Sequence, residues 1–141
     1  MTNKIFIDTN VFLDHFLKRE PHWEASAVVL DMVAHEQIVA CTSSVSFCNI
    51  NYMLNKLDKN RIVERDLQFL LNIIQIVPVN GQMLGQALFE ALPDYEDSVQ
   101  YASALKANCD FIITTNKRDF SNCKIPVLNA SEFVGRFLMF W

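Results

Sequence analysis

Apolar residues along this chain fall into two kinds of run. Ile5-Phe6-Ile7, Ile38-Val39-Ala40-Cys41, Ile76-Val77-Pro78-Val79, Phe111-Ile112-Ile113 and Val127-Leu128 are short and continuous. Without polar alternation, such runs suit strands buried on both faces, as parallel sheets require. Pro78 assigns the third run to a sheet edge, because proline cannot donate to a ladder. Between these runs, apolar residues recur at helical spacing. Asn10 to about Leu17 reads as a helix with Phe12, Leu13, Phe16 and Leu17 inward, and a second carries Trp23, Ala27, Leu30 and Ala34. The third has Phe47, Ile50, Leu54 and Leu57 on its inner face behind the cap candidates Thr42, Ser43 and Ser44; the fourth has Val63, Leu67, Leu70 and Ile74. Asn80-Gly81 turns into a helix with Leu84, Ala87, Leu88 and Ala91, and Pro93-Asp94 opens another with Val99, Ala102 and Leu105. A last helix from about Ala130 carries Phe133, Phe137 and Leu138. Strands alternating with helices predict an α/β fold, a single three-layer α/β/α sandwich with a parallel central sheet. At 141 residues the expectation is one domain spanning 1–141.

Composition sharpens this picture in three ways. The chain is 51% hydrophobic and only 20% charged, so a second copy or another protein is expected to cover part of its surface. No apolar run approaches the ~18 residues of a membrane span and the start lacks a leader pattern, which predicts a cytoplasmic protein. Cys41, Cys48, Cys109 and Cys123 form no CxxC pair and read as reduced, mostly buried thiols. His15, His22 and His35 lack zinc-site spacing. The net charge of −4 argues against a general nucleic-acid coat protein. It leaves room for a nucleic-acid enzyme whose acids gather around cations.

The candidate chemistry lies in three acids. Asp8 directly follows the first strand, Asp119 lies just past the fourth, and Asp97 sits in the first turn of the helix leading into the fourth. In a parallel sheet, strand ends share the carboxyl-terminal rim where open α/β sheets bind ligands. Each acid also has a plain structural reading: Asp8 as a helix cap, Asp94 with Asp97 as an amino-terminal cap, Asp119 as a turn residue. Brought together, like charges raise one another's pKa unless cations bind between them. Oxygen ligands without His or Cys suit Mg²⁺ or Mn²⁺, which can organise a water for phosphodiester attack.

Ile-Asp-Thr-Asn at 7–10, Glu96-Asp97 opening a helix, and Ile-Ile-Thr-Thr-Asn-Lys-Arg-Asp-Phe at 112–120 together resemble the PIN-domain nucleases. The nearest group is the VapC-like toxins of bacterial toxin–antitoxin pairs. The resemblance implies a PIN-like sheet with a metal site at its carboxyl rim and Mg²⁺- or Mn²⁺-dependent RNA cleavage. It also implies an antitoxin partner, and the apolar composition predicts a homodimer or an antitoxin complex rather than a lone monomer. The resemblance assigns Asp8, Asp97 and Asp119 to the metal, Asn116 to the further polar position of the last motif, and Thr9 and Thr114 to supporting roles. The chain departs from the pattern at Asn49, where the family usually has a glutamate one turn into the third helix. Three carboxylates would then face the four charges of two divalent ions, and the second ion would bind weakly. Thr115, where many members have arginine, is a lesser departure.

Lys56, Lys59, Arg61 and Arg65 cluster between the third and fourth helices, and Lys117-Arg118 adjoin the proposed site; both groups are candidates to guide a phosphate backbone. A second reading is a catalytically weakened PIN-like module that binds RNA or protein. A phosphatase of the haloacid dehalogenase type wants a second acid two residues after the first, where Asn10 stands. With only Gly81, Gly85 and Gly135, a dinucleotide or P-loop enzyme is disfavoured.

Overall fold

A computed structural model describes residues 3–90 and 92–138. Among the described residues five strands, β1 (Lys4–Ile7), β2 (Val39–Ser43), β3 (Gln75–Val77), β4 (Phe111–Ile113) and β5 (Val127–Leu128), form one sheet in the order β3-β2-β1-β4-β5. Every pairing is parallel, with Ile5 opposite both Ala40 and Phe111 at the centre. The continuous apolar runs are explained by this geometry, because β1, β2 and β4 are covered on both sides. Alternation along β1 sends Ile5 and Ile7 into one core and Phe6 into the other.

The helices are α1 (Thr9–Leu17), α2 (Trp23–Ala34), α3 (Ser44–Leu57), α4 (Val63–Ile73), α5 (Gly81–Ala87), α6 (Tyr95–Lys106) and α7 (Ala130–Leu138), with a 3₁₀ turn at Lys117–Phe120. Phe12, Leu30, Ile50, Leu70 and Phe133, from α1 to α4 and α7, pack with Ile5 and Ile7. Met83 of α5, Tyr101 and Ala104 of α6, and Phe120 pack with Phe6 on the other face. The division follows from strand order. The chain steps outward from β1 to β2 to β3, then crosses back to β4; right-handed crossovers in opposite directions lie on opposite faces. That reversal makes the gap between β1 and β4 the switch point of the sheet, where its rim forms a crevice.

Several details differ from the sequence pattern. In α2 the buried positions are Ser26, Val29, Leu30, Met32 and Val33, whereas Ala34 is exposed. Alanine gains little from burial, so the larger aliphatic side chains set the rotation of the helix. In α3, Leu57 is exposed; in the α5 region, Met83 and Ala87 are buried while Leu84 and Leu88 face outward. Leu105 of α6 is also exposed. Pro78 lies just beyond edge strand β3, outside the paired residues. Cys41 and Cys109 are buried with sulfurs 3.2 Å apart, whereas Cys48 is exposed. The expected inward positions of Ala91 and the Leu138 side chain lie outside the described residues. Among the described residues no helix is long and apolar enough to cross a membrane.

Candidate active site

Asp8 leaves β1 with extended backbone and caps α1, its Oδ1 accepting from Thr9 N at 2.9 Å. The other oxygen, Oδ2, accepts from Thr114 Oγ1 at 2.9 Å, and the backbone N–H of Asp8 donates to Ile113 O at 2.9 Å. The carboxylate is thus fixed between the ends of β1 and β4. Burial is the largest influence on it and raises its pKa; the Thr114 and Thr9 hydrogen bonds oppose that, and the Glu96 charge adds to it.

Beneath Asp8 runs a buried polar chain. Thr9 Oγ1 shares a hydrogen with Ser46 Oγ at 2.6 Å, Gln100 Nε2 donates to Thr9 Oγ1 at 3.4 Å, and Ser43 Oγ donates to Gln100 Oε1 at 2.5 Å. Ser43 Oγ also caps α3 by accepting from Ser46 N at 2.9 Å. One network therefore ties the starts of α1 and α3 to the first turns of α6. Buried polar groups left unpaired would be costly, so these partners lock the helix ends in place. The sequence pattern did not reveal Ser46 and Gln100 as partners of Thr9, or Ser43 as a partner of Gln100. Helical spacing offered the one signal, since Gln100 stands three residues after Asp97 and Ser46 three before Asn49.

On α6, Asp94 caps the helix, with Oδ1 accepting from Glu96 N at 2.8 Å. Asp97 follows in the first turn. Its pKa is pushed up to about 7, by burial first and then by the carboxylates of Asp8, Asp94, Asp119 and Glu96. Past β4, Thr114 Oγ1 also accepts from Asn116 N at 3.1 Å, and Asn116 Nδ2 donates to Asp119 Oδ2 in a short contact. Thr114 therefore links Asp8 to the turn that presents Asn116 and Asp119. From α3, Asn49 Nδ2 donates to Glu96 Oε1 at 2.9 Å.

Asp8, Asn49, Asp94, Glu96, Asp97, Asn116 and Asp119 line one cleft of about 480 Å³ at the carboxyl rim, between β1 and β4, with the Ser43, Ser46, Gln100 and Thr114 side chains buried outside its lining. Five carboxylates (Asp8, Asp94, Glu96, Asp97, Asp119) and three amides (Asn10, Asn49, Asn116) face it, with no Lys, Arg or His among its described lining. The plain readings of Asp8 and Asp94 as caps hold, and both residues face the cleft as well. Asp94 and Glu96 add two acids to the three expected there. The donor set is hard oxygen throughout, which fits Mg²⁺ or Mn²⁺ and excludes a thiolate or imidazole site. Among the described residues no three His, Cys, Asp or Glu side chains form a ready-made cage for an ion. The carboxylates form an open cleft and would have to turn inward to share one.

The basic residues have other partners. Arg61 is bidentate to Asp66, at 2.6 and 3.0 Å, and donates to Phe16 O at 3.0 Å. Lys117 Nζ pairs with Glu132 at 3.0 Å, and Lys56 lies over the Tyr52 ring. Among the described residues Arg118, next to Asp119, is exposed and makes no ion pair.

Comparison with known proteins places the sequence and the fold among a group of relatives. The chain is 30% identical over 141 residues to Ribonuclease VapC1 of Aquifex aeolicus, covering 96% of each chain. Its fold is similar to that of VapBC2 from Rickettsia felis, solved bound to a promoter DNA fragment (TM-score 0.69, 17% identity, covering 89% of this chain and 98% of that one). It is also similar to VapC20 of Mycobacterium tuberculosis, described as a sarcin–ricin loop cleaving toxin (TM-score 0.66, 14% identity, 84% and 95% covered). DNA-bound VapBC from Salmonella typhimurium has a TM-score of 0.67 at 17% identity, with 92% and 99% covered. The PIN-domain family model matches residues 4–118, from β1 through the turn after β4, and the chain belongs to the PIN-domain family.

Proposed function

We propose that this protein is a metal-dependent endoribonuclease, the toxin of a toxin–antitoxin pair, with Asp8, Asp97 and Asp119 holding Mg²⁺ or Mn²⁺. The observation that carries the reading is the convergence of acids from three parts of the chain on one cleft, where burial first and the neighbouring carboxylates second raise the Asp97 pKa to about 7. Such a cleft repels an RNA backbone by itself and accepts it only when cations reverse the field. Once bound, a divalent cation would supply a water of lowered pKa and charge stabilisation at the phosphate. The chain's own residues orient the site. The Thr114 hydroxyl and the Thr9 N–H aim the Asp8 oxygens, Asn116 aims Asp119, and the raised pKa of Asp97, about 7, means that positive charge bound in the cleft would favour its ionised form. Arg118, exposed beside Asp119, supplies a phosphate contact at the cleft edge.

The named activity of the Aquifex relative supports the ribonuclease reading, and the VapBC assemblies among similar structures support an antitoxin partner. A homodimer, residence in the cytoplasm and a single domain over 1–141 complete the proposal. The test is incubation of the purified protein with structured and unstructured RNAs in Mg²⁺, Mn²⁺ or EDTA, with Asp8→Asn as control. Cleavage is expected with either ion, absent in EDTA and absent from the variant; cleavage that persists in EDTA overturns the reading. A second reading, a binding module with weakened catalysis, draws on Asn49, which brings an amide where a charge is usual. RNA retention without metal-dependent cleavage would favour that module.

A further inference from the structure

Asn49 and Glu96 are 47 positions apart in the chain and come from α3 and α6. They meet at the cleft through Asn49 Nδ2 and Glu96 Oε1, 2.9 Å apart. An ionised carboxylate only accepts, so the contact requires the amide nitrogen to face Glu96. Asn49 thereby holds a carboxylate beside its own position while bringing no charge itself. Glu96 is placed by a second constraint: its backbone N–H is bound by Asp94 Oδ1 at 2.8 Å, in the first turn of α6 where the helix field favours negative charge.

Resting on the reading of the cleft as a metal-dependent nuclease site, we propose that Glu96 is its fourth cation-attracting carboxylate, supplying from α6 the charge that position 49 of α3 lacks. In this arrangement the acid stands on the α6 side of the cleft, and Asn49 is the residue that orients it. On this account Asp8, Glu96, Asp97 and Asp119 supply four negative charges toward the four positive charges of two divalent ions, while Asp94, the fifth acid of the cleft, is engaged as the α6 cap through the Glu96 N–H.

The inference is tested by Mn²⁺ titration followed by electron paramagnetic resonance, without RNA, on the full chain and on Asp8→Asn, Glu96→Gln and Asn49→Glu/Glu96→Gln. Gln at 96 keeps an acceptor for Asn49 and lies at an exposed position, so the melting temperature without cation should match the parent. Glu96→Gln should weaken Mn²⁺ binding about tenfold or more, the scale seen when groups around a metal site are removed. The double variant, with the acid returned to α3, should recover most of that loss. If Glu96→Gln binds Mn²⁺ as the parent does while Asp8→Asn does not, Glu96 is only a surface tie and the inference falls with the metal site intact. If the single variant is weakened and the double variant stays so, relocation of the charge is refuted. Failure of the parent chain to bind Mn²⁺ overturns both the inference and the reading beneath it.

Discussion

Asp97 concentrates the electrostatics of the cleft in one side chain. An acid whose folded pKa is raised keeps its proton after the unfolded chain has lost it. Its contribution to stability is full below the unfolded value near 3.8 and is lost as pH rises toward the folded value of about 7. Without cations, the melting temperature of the parent should therefore fall between about pH 4 and pH 7 more steeply than that of Asp97→Asn. Calorimetric scans of the two proteins in chelator check this; parallel curves would mean that Asp97 titrates normally. Cations that bind the ionised cleft must displace the Asp97 proton, so Mn²⁺ affinity should rise from pH 6 to pH 8 with proton release measurable in buffers of different ionisation enthalpy. A pH-independent affinity would separate Asp97 from the metal.

At the scale of elements, hydrogen bonds to side chains hold the helix ends that frame the cleft. Ser43 caps α3 and also donates to Gln100 of α6, so Ser43→Ala loses both contacts and should cost about 1–2 kcal/mol in urea unfolding. A change within experimental error would show that the chain beneath Asp8 is slack. Arg61 joins the start of α4 to the end of α1 through Asp66 and Phe16 O, with both charged side chains largely buried. Asp66 is the first cause holding the Arg61 pKa above its ordinary value. Arg61→Ala should cost about 2 kcal/mol, as for other hydrogen bonds to charged groups, and leave the RNA affinity of the cleft unchanged. Weakened RNA binding without loss of stability would instead restore Arg61 to the phosphate-guiding role that its sequence neighbours suggest.

For the whole molecule, the open question is what covers its apolar surface. Leu84, Leu88, Phe89 and Leu105 are exposed on and beside α5 and α6, with Phe89 90% exposed. A separate set, Tyr52, Leu57, Ile62, Phe69 and Leu71, is exposed around α3 and α4. Large exposed apolar patches mark association sites more often than solvent-facing surface. Sedimentation at about 50 μM should give a dimer, and Phe89→Asp should shift it to monomer, since a charge in a buried interface is costly when unpaired. A parent that stays monomeric, together with failure to find an antitoxin, would remove the expectation drawn from composition.

Element types, their order and the acids after β1 and β4 were legible in the residues themselves. Apolar periodicity is a local property, and the step from Ile7 to Asp8 marks a strand end without knowledge of its neighbours. The rotation of α2 was not legible, because alanines at 27 and 34 satisfy either face and only the packed sheet shows which aliphatic side chains gain most by burial. Nor were the polar pairings. Thr9 meets Ser46 37 residues away, Asp8 meets Thr114 106 away, and Asn49 meets Glu96 47 away. Lys117, beside the site in sequence, is drawn off to Glu132. Which polar groups meet at the rim depends on strand order, on the reversal that sets β4 beside β1, and on the faces the crossovers take. Acids placed directly after apolar strands could be read from neighbouring residues alone, whereas the meeting of Glu96, from the first turn of α6, with Asn49 of α3 at one cleft follows from how the two helices pack at the sheet rim.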